Sequence, residues 1–170
     1  TSGDLWTVCR ELSCRMLMLA GIGDRDECGR LVDEAVESGE ALKRFEMMVR
    51  LQGGDASYIE DTSKFRKASF SREVYAPADG YITHMDSEKI GLIAVLLGAG
   101  REKKEDNINH AAGIIITAKT GDFVKRGELL ATLFADDESR LDGAEARYLS
   151  AVSIGDKKPA EQPMILDYID

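Results

Sequence analysis

The sequence predicts an α+β protein, helical in its first third and strand-rich afterwards, and three observations lead there. Apolar residues recur at helical spacing through three successive stretches ending near residue 51. Residues 53–71, GGDASYIEDTSKFRKASFS, are polar and keep no sustained period, as a linker with short turns would. Beyond them, short apolar and β-branched runs alternate with glycine turns around one strongly apolar helix.

The first helix covers residues 4–20, with Leu5, Val8, Cys9, Leu12, Met16 and Leu19 on one face. Asp4 is the expected N-cap, and Gly21 and Gly23 the stop. Met16, Leu17, Met18 and Leu19 are consecutive, so this helix is apolar around much of its circumference and calls for neighbours on more than one side. Asp24 with Glu27 resembles a capping box opening a second helix, lined by Cys28, Leu31, Val32, Ala35 and Val36 and closed by Gly39. A third helix spans residues 40–51, with Leu42, Phe45, Met48 and Val49 expected inward.

After the linker, strands are expected at residues 72–76 and 80–85. Asp86 or Ser87 then caps a helix whose run from Ile90 to Leu97 is the most apolar in the chain. GIIITA at 113–118 reads as a buried strand, Thr120, Gly121 and Asp122 as a turn, and Phe123 and Val124 as a short strand. Lys125, Arg126 and Gly127 form a second turn, and residues 129–134 another strand. A helix over residues 138–151 and a closing edge strand at 164–169, after Pro159 and Pro163, complete a compact sandwich or barrel.

Composition excludes several classes of function. With 31 acidic against 22 basic residues the net charge is −9, which opposes a general nucleic-acid binder or an anionic membrane surface. No apolar run approaches the roughly 18 residues of a membrane span, and the N-terminus lacks the pattern of a signal peptide, so a cytoplasmic protein is expected. Cys9, Cys14 and Cys28 are an odd set without a CxxC pair, far in sequence from His84 and His110. They read as free thiols rather than zinc ligands.

No constellation assembles an active site. Gly98, Ala99, Gly100 and Arg101 follow a helix instead of preceding one, so they read as a helix stop and not as a phosphate-cradling loop. Lys103, Lys104, Glu105 and Asp106 form a solvated charged loop. His84 and His110 have no acid or nucleophile predictably beside them. Asp79, Asp86, Asp106 and Asp122 occupy turn positions, where carboxylates bond backbone N–H groups.

The turn-rich run TGDFVKRGELLATL, with ADGYI ahead of it, is similar to the half-motifs of biotinyl and lipoyl carrier domains. Those domains modify a lysine at a hairpin. Lys89 is the nearest candidate, but it stands in SEKIGL at the start of a helix. A carrier module or a non-catalytic interaction module, docking through residues 4–51, is the alternative reading.

A broader resemblance covers most of the chain. DLWTVCRELSCRMLMLAG, SGEALKRFEMMVRLQGGDAS, ADGYITHMDSEKIGLIAVLLGAGREKKEDNIN and GIIITAKTGDFVKRGELLATLF stand in the order of the C-terminal portion of the pyrimidine-nucleoside phosphorylases, the group that includes thymidine phosphorylase. QGGD and LGAGR are the most specific pieces.

That resemblance implies helices left over from an α/β catalytic domain at residues 1–54, a linker at 55–71 and an α/β hammerhead domain, barrel-sandwich-like, at 72–170. The family's reaction converts a pyrimidine nucleoside and inorganic phosphate into the free base and a pentose 1-phosphate. Its K-x-S-T-G-G phosphate loop and its catalytic histidine, arginine, serine and lysine belong to the N-terminal half. Neither that loop nor the family's Ser-x-x-x-Lys arrangement is read here.

The expectation is therefore a fragment with a structural role, inactive alone, with no catalytic, substrate-binding, cofactor-binding or metal residue assigned and no cofactor. Its expected partner is the missing N-terminal part of the same enzyme, whose parent is a homodimer. Some members bind potassium near the first helices, for which Glu27 and Glu34 are the candidates.

Overall fold

Helix α1 (Gly3–Leu19) and helix α2 (Arg25–Glu37) form the first packed pair of the computed structural model, which describes residues 3–101 and 103–169. Their seam buries Cys14, Cys28 and Val32. Arg10 of α1 reaches across to Asp33 of α2 with two hydrogen bonds of 2.6 Å, Nε to one carboxylate oxygen and Nη2 to the other. That fork lies over Gly29, where an added Cβ would stand 2.8 Å from the Arg10 guanidinium. Small residues thus let the two helices approach while an ion pair sets their register.

Asp24 caps α2 by accepting from the Glu27 N–H at 2.9 Å, as the spacing predicts. Asp4 is not an N-cap, because α1 already begins at Gly3 and places Asp4 inside the first turn. Gly39, at φ 79°, turns the chain into helix α3 (Glu40–Leu51). Short helix α4 (Ser57–Glu60) and a 3₁₀ turn at Thr62–Lys64 punctuate the polar stretch that follows.

The inward face expected of α3 is corrected. The helix buries no residue, and Leu42, Phe45 and Met48 are about half exposed. Leu42, Phe45 and Val49 instead line an apolar cleft of about 630 Å³ with Tyr58, Ile59 and Phe65. The spacing is amphipathic, but the residues present leave that stripe open.

Two compact units result: residues up to Phe65 with the tail from Gln162, and Arg66–Glu161. The second unit holds two antiparallel three-stranded sheets. One orders β1 (Phe70–Tyr75), β5 (Leu129–Ala135) and β3 (Gly113–Ile116) as β1-β5-β3, with Val74 opposite Ala131 and Ile114 opposite Leu133. The other orders β4 (Phe123–Val124), β2 (Gly80–Met85) and β6 (Val152–Gly155) as β4-β2-β6, with Gly80 opposite Val124 and Ile82 opposite Ile154.

Helices α5 (Ser87–Ala94) and α6 (Ala144–Ala151) complete the core, in which Val74, Ile82, Leu97, Leu130, Leu133 and Tyr148 are fully buried. Both sheets feed this one core. An α+β architecture is what the strand and helix periods foretell.

Two expectations in this unit change, and one strand appears that the sequence does not announce. The 113–118 strand is shorter and is an edge, paired with β5 alone. Its alternation therefore turns Ile115 outward, 61% exposed, while Ile114 packs inward. The 138–151 helix is split into a 3₁₀ turn, Glu138–Leu141, and α6, because Gly143 adopts φ 74° between them. Strand β6 follows α6 without an intervening loop, so VSIG is hidden behind the helical pattern.

No strand forms at residues 164–169. Among the described residues, no strand exchanges backbone hydrogen bonds with this segment. Tyr168 of the tail sits instead against Arg15 and Arg25 of the helices.

Candidate functional site

A polar concavity gathers around the end of α5. Asp86 caps that helix by accepting from the Lys89 N–H at 3.1 Å, and the helix widens into a π turn, Val95–Ala99, ended by Gly98 at φ 110°. The Asn109 N–H donates to the Gly98 carbonyl at 2.8 Å, and Arg140 donates to the Leu96 carbonyl at 3.1 Å. Two carbonyls that a helix end leaves unpaired are thereby satisfied. A cleft of about 520 Å³ opens beside them, lined by Val95, Leu96, both loop glycines, Lys103, Asp106, Asn107 and Arg140.

Behind the turn lies a four-residue clamp. Asp136, just after β5, accepts from Arg66 Nη2 at 2.5 Å, from the Ser69 N–H at 2.9 Å and hydroxyl at 3.1 Å, and from Asn109 Nδ2 at 2.9 Å. Asn109 Oδ1 accepts in turn from Arg66 Nη2 at 2.7 Å and from the Ala111 N–H at 3.1 Å. The Arg66 bond, then the Ser69 amide, hold the Asp136 carboxyl far below the ordinary carboxylate range against the smaller opposing effect of burial. A carboxylate so stabilised is a poor proton acceptor at neutral pH. Its charge fixes the entry to β1, the exit of β5 and the loop carrying Asn109.

The sequence-derived candidates are placed separately. His84 on β2 and His110 are exposed. Arg101 is exposed too, and Glu102 of the charged loop lies outside the described residues. Asp106 accepts from the Lys103 N–H at 2.8 Å and Asp122 from the Lys119 N–H at 2.7 Å, each closing its own turn. Asp79 reaches further, to the Arg126 N–H at 2.6 Å, and ties two turns together.

Lys89 lies in the first turn of α5, its ammonium 3.0 Å from Asp86, and so is not at a hairpin. Cys14 and Cys28 are buried free thiols and Cys9 is an exposed one. Burial pushes the Cys28 thiol up.

Glu27 and Glu34 both stand on α2, and Glu34 pairs with Arg30 at 3.8 Å. No three His, Cys, Asp or Glu side chains among the described residues gather as a metal site would require.

One reading of the sequence needs correction: Ser-x-x-x-Lys spacing does occur, at Ser63 and Lys67 and again at Ser153 and Lys157. Neither pair shares a helix. Ser63 is in the 3₁₀ turn, donating to Asp61 at 2.6 Å, and Ser153 is in β6. The four-residue spacing aligns side chains only on a helical face.

The clamp itself was missed. Arg66, Asn109 and Asp136 are scattered through the sequence, and no local pattern joins them.

A model of the pyrimidine nucleoside phosphorylase C-terminal domain matches residues 81–155, from β2 through β6. A pyrimidine-nucleoside phosphorylase of Bacillus subtilis (strain 168) is 39% identical over 137 residues, covering 80% of this chain and 32% of that protein. The chain belongs to the pyrimidine-nucleoside phosphorylase family.

Its match to the Geobacillus stearothermophilus pyrimidine-nucleoside phosphorylase is 32% identical over 164 residues, covering 96% of the chain and 37% of that relative. The Staphylococcus aureus (strain USA300) pyrimidine-nucleoside phosphorylase is 34% identical over 154 residues, covering 90% and 35%. The chain thus spans about a third of the length of the curated phosphorylases it matches. No helix among the described residues is long and apolar enough to cross a membrane.

Proposed function

We propose that this chain acts as the C-terminal, structural region of a pyrimidine-nucleoside phosphorylase and turns over no nucleoside by itself. One observation carries the reading: relatives of that name align with up to 96% of this chain, while the chain accounts for 37% or less of their length. The parent reaction breaks the bond from the anomeric carbon to the pyrimidine nitrogen and forms one from that carbon to a phosphate oxygen. The bonding pair leaves with the base, which takes up a proton.

Such a reaction depends on holding phosphate and nucleoside together and on stabilising the departing base. The described residues offer a clamped carboxylate and a helix-end junction, which suit a supporting role. Phosphate is a co-substrate of the parent, and the partner of this chain is the remainder of the same enzyme, with a homodimer as the parent assembly. The buried free thiols Cys14 and Cys28 suit a reducing cytoplasm. The domain reading proposed with it is a catalytic-domain remnant at 1–54, a linker at 55–71 and a hammerhead domain at 72–170.

Two assays test it. The purified chain, given phosphate with thymidine or uridine, is expected to release no free base above the blank by chromatography; turnover would overturn the claim of inactivity. A chimera with the matched 137 residues in place of their counterpart in the Bacillus subtilis relative is expected to release base. A folded chimera that cannot would count against the structural role.

A further inference from the structure

We propose that the C-terminal tail is a strap, fastened to α1 and α2 by Tyr168 seated in a slot made of two arginines. The Tyr168 ring centroid lies 4.5 Å from Arg15 Cζ and 4.8 Å from Arg25 Cζ, so one ring meets two guanidinium groups. Arg25 Nη2 also donates to the Tyr168 hydroxyl at 2.7 Å. A planar, weakly hydrated guanidinium is the cation best suited to stack on a phenol ring.

The slot has its own support. Glu11, only 12% exposed, accepts from Arg15 Nε at 3.2 Å and from Arg25 Nη2 at 3.0 Å, fixing both cations along one edge. Burial disfavours the Glu11 carboxylate, but the two arginine bonds outweigh it and hold its pKa below the ordinary value. The ion pairs therefore join α1 to α2 whether or not the tail is present.

Among the described residues, 162–169 share no backbone hydrogen bond with the helices, and Leu166 and Ile169 are almost wholly exposed. Met164 is about half exposed as well. Among the described residues, Tyr168 makes the tail's hydrogen bond and cation–π contacts to the helices, with Ile165 half-buried, and the strap opens when the Tyr168 side chain leaves.

The test uses the whole chain. In the wild type, heteronuclear NOE values for residues 164–169 should approach those of α1 and α2, and the Arg15 and Arg25 Nε–H protons should show ring-current shifts. Tyr168→Ala should abolish both signs and speed chymotrypsin cleavage after Leu166 about tenfold, since one cation–π contact plus a charged hydrogen bond is worth that population shift. Tyr168→Phe, which keeps the ring and loses the hydroxyl, should fall between them. Unchanged amide shifts in α1 and α2 would show that the helices remain folded in each variant. A wild-type tail as mobile as an unfolded chain, or a Tyr168→Ala tail as ordered as the wild type, would overturn the strap.

Discussion

The sheet unit and the helical unit differ in how they use apolar residues. Leu130, Leu133, Ile82, Val74 and Tyr148 vanish into one core shared by two sheets and two helices. In the helical unit the buried hydrophobes are two cysteines, a valine and an alanine, while Leu5, Leu12, Met16, Leu19, Leu51 and Phe45 stay exposed. Each unit carries eight leucines, so leucine content does not separate them. What separates them is the number of layers available: each sheet turns one face onto the shared core, whereas α1 to α3 present apolar surface that their own packing does not use. The partner proposed above, the remainder of the enzyme, would cover that exposed apolar surface.

The comparison predicts the largest effect at the centre of the sheet unit. Leu133 is fully buried on β5, between β1 and β3. Leu133→Ala should cost about 2–5 kcal/mol in urea unfolding, through lost transfer energy and the cavity left behind. The same change at Leu12 of α1, where the side chain is already largely in solvent, should stay within about 0.5 kcal/mol. Equal losses at the two sites would erase the distinction between the units.

Next comes the backbone. Gly80 has φ 151° in β2, and a Cβ there would stand 2.7 Å from Ile154 Cγ2 and 2.9 Å from the Gly155 carbonyl oxygen. Gly80→Ala should lose about 1–3 kcal/mol by the same measurement, since both the dihedral and the close approach of β6 oppose a side chain. Gly39 carries a positive φ with open space around it, so Gly39→Ala should be milder. A reversed order would mean that the β2–β6 pair tolerates spreading.

A pH series reaches the clamp. The Asp136 pKa is depressed on folding by Arg66 and Ser69, so its stabilisation is fully present above the unfolded value of about 3.9 and is lost as pH falls towards the folded pKa. Asp136→Ala should therefore lower the urea midpoint by a constant amount above about pH 5, and the gap should close as pH drops below about 3. A gap that widened in acid would show that the carboxylate is not the stabilising species.

Much of the fold is legible because helices α1 to α3 each keep a helical period, while β2, β4 and β5 are bracketed by turn residues. Legibility fails where two elements abut without punctuation, as α6 runs into β6, and where a glycine with positive φ splits a helical pattern, as at Gly143. The tail misleads for another reason: MILDYI is as apolar as a strand, yet tertiary contacts of Tyr168 decide its place. The clamp is the least legible feature, since Arg66 and Asp136 are 70 positions apart and only the β1–β5 pairing brings them together. Turn aspartates were readable because an Asx bond needs only its neighbours.

Intermediate effects should come from Tyr148, whose hydroxyl, deep in the core, has no hydrogen-bond partner among the described residues; burial raises its pKa. Tyr148→Phe removes the orphan donor without opening a cavity and should stabilise the sheet unit by about 1 kcal/mol. A loss of stability on that change would reveal a partner for the hydroxyl in solution.

The smallest effect on folding should come from Leu19, and it bears most directly on the contrast between the units. The residue ends α1 at 89% exposure, so Leu19→Gln removes no packing and should leave the urea midpoint unchanged within about 0.5 kcal/mol. The same substitution takes away part of an apolar surface continuous in sequence with Met16 and Ile22, both also exposed. Sedimentation across a concentration series, with an apolar dye as a second probe, should therefore show weaker self-association and lower dye binding for Leu19→Gln than for the wild type, while Ile115→Gln on the exposed face of β3 should change them less. If the β3 substitution proved the stronger, the unfinished surface would lie on the sheet unit, and the proposed division between a self-sufficient core and a helical face awaiting its partner would be reversed.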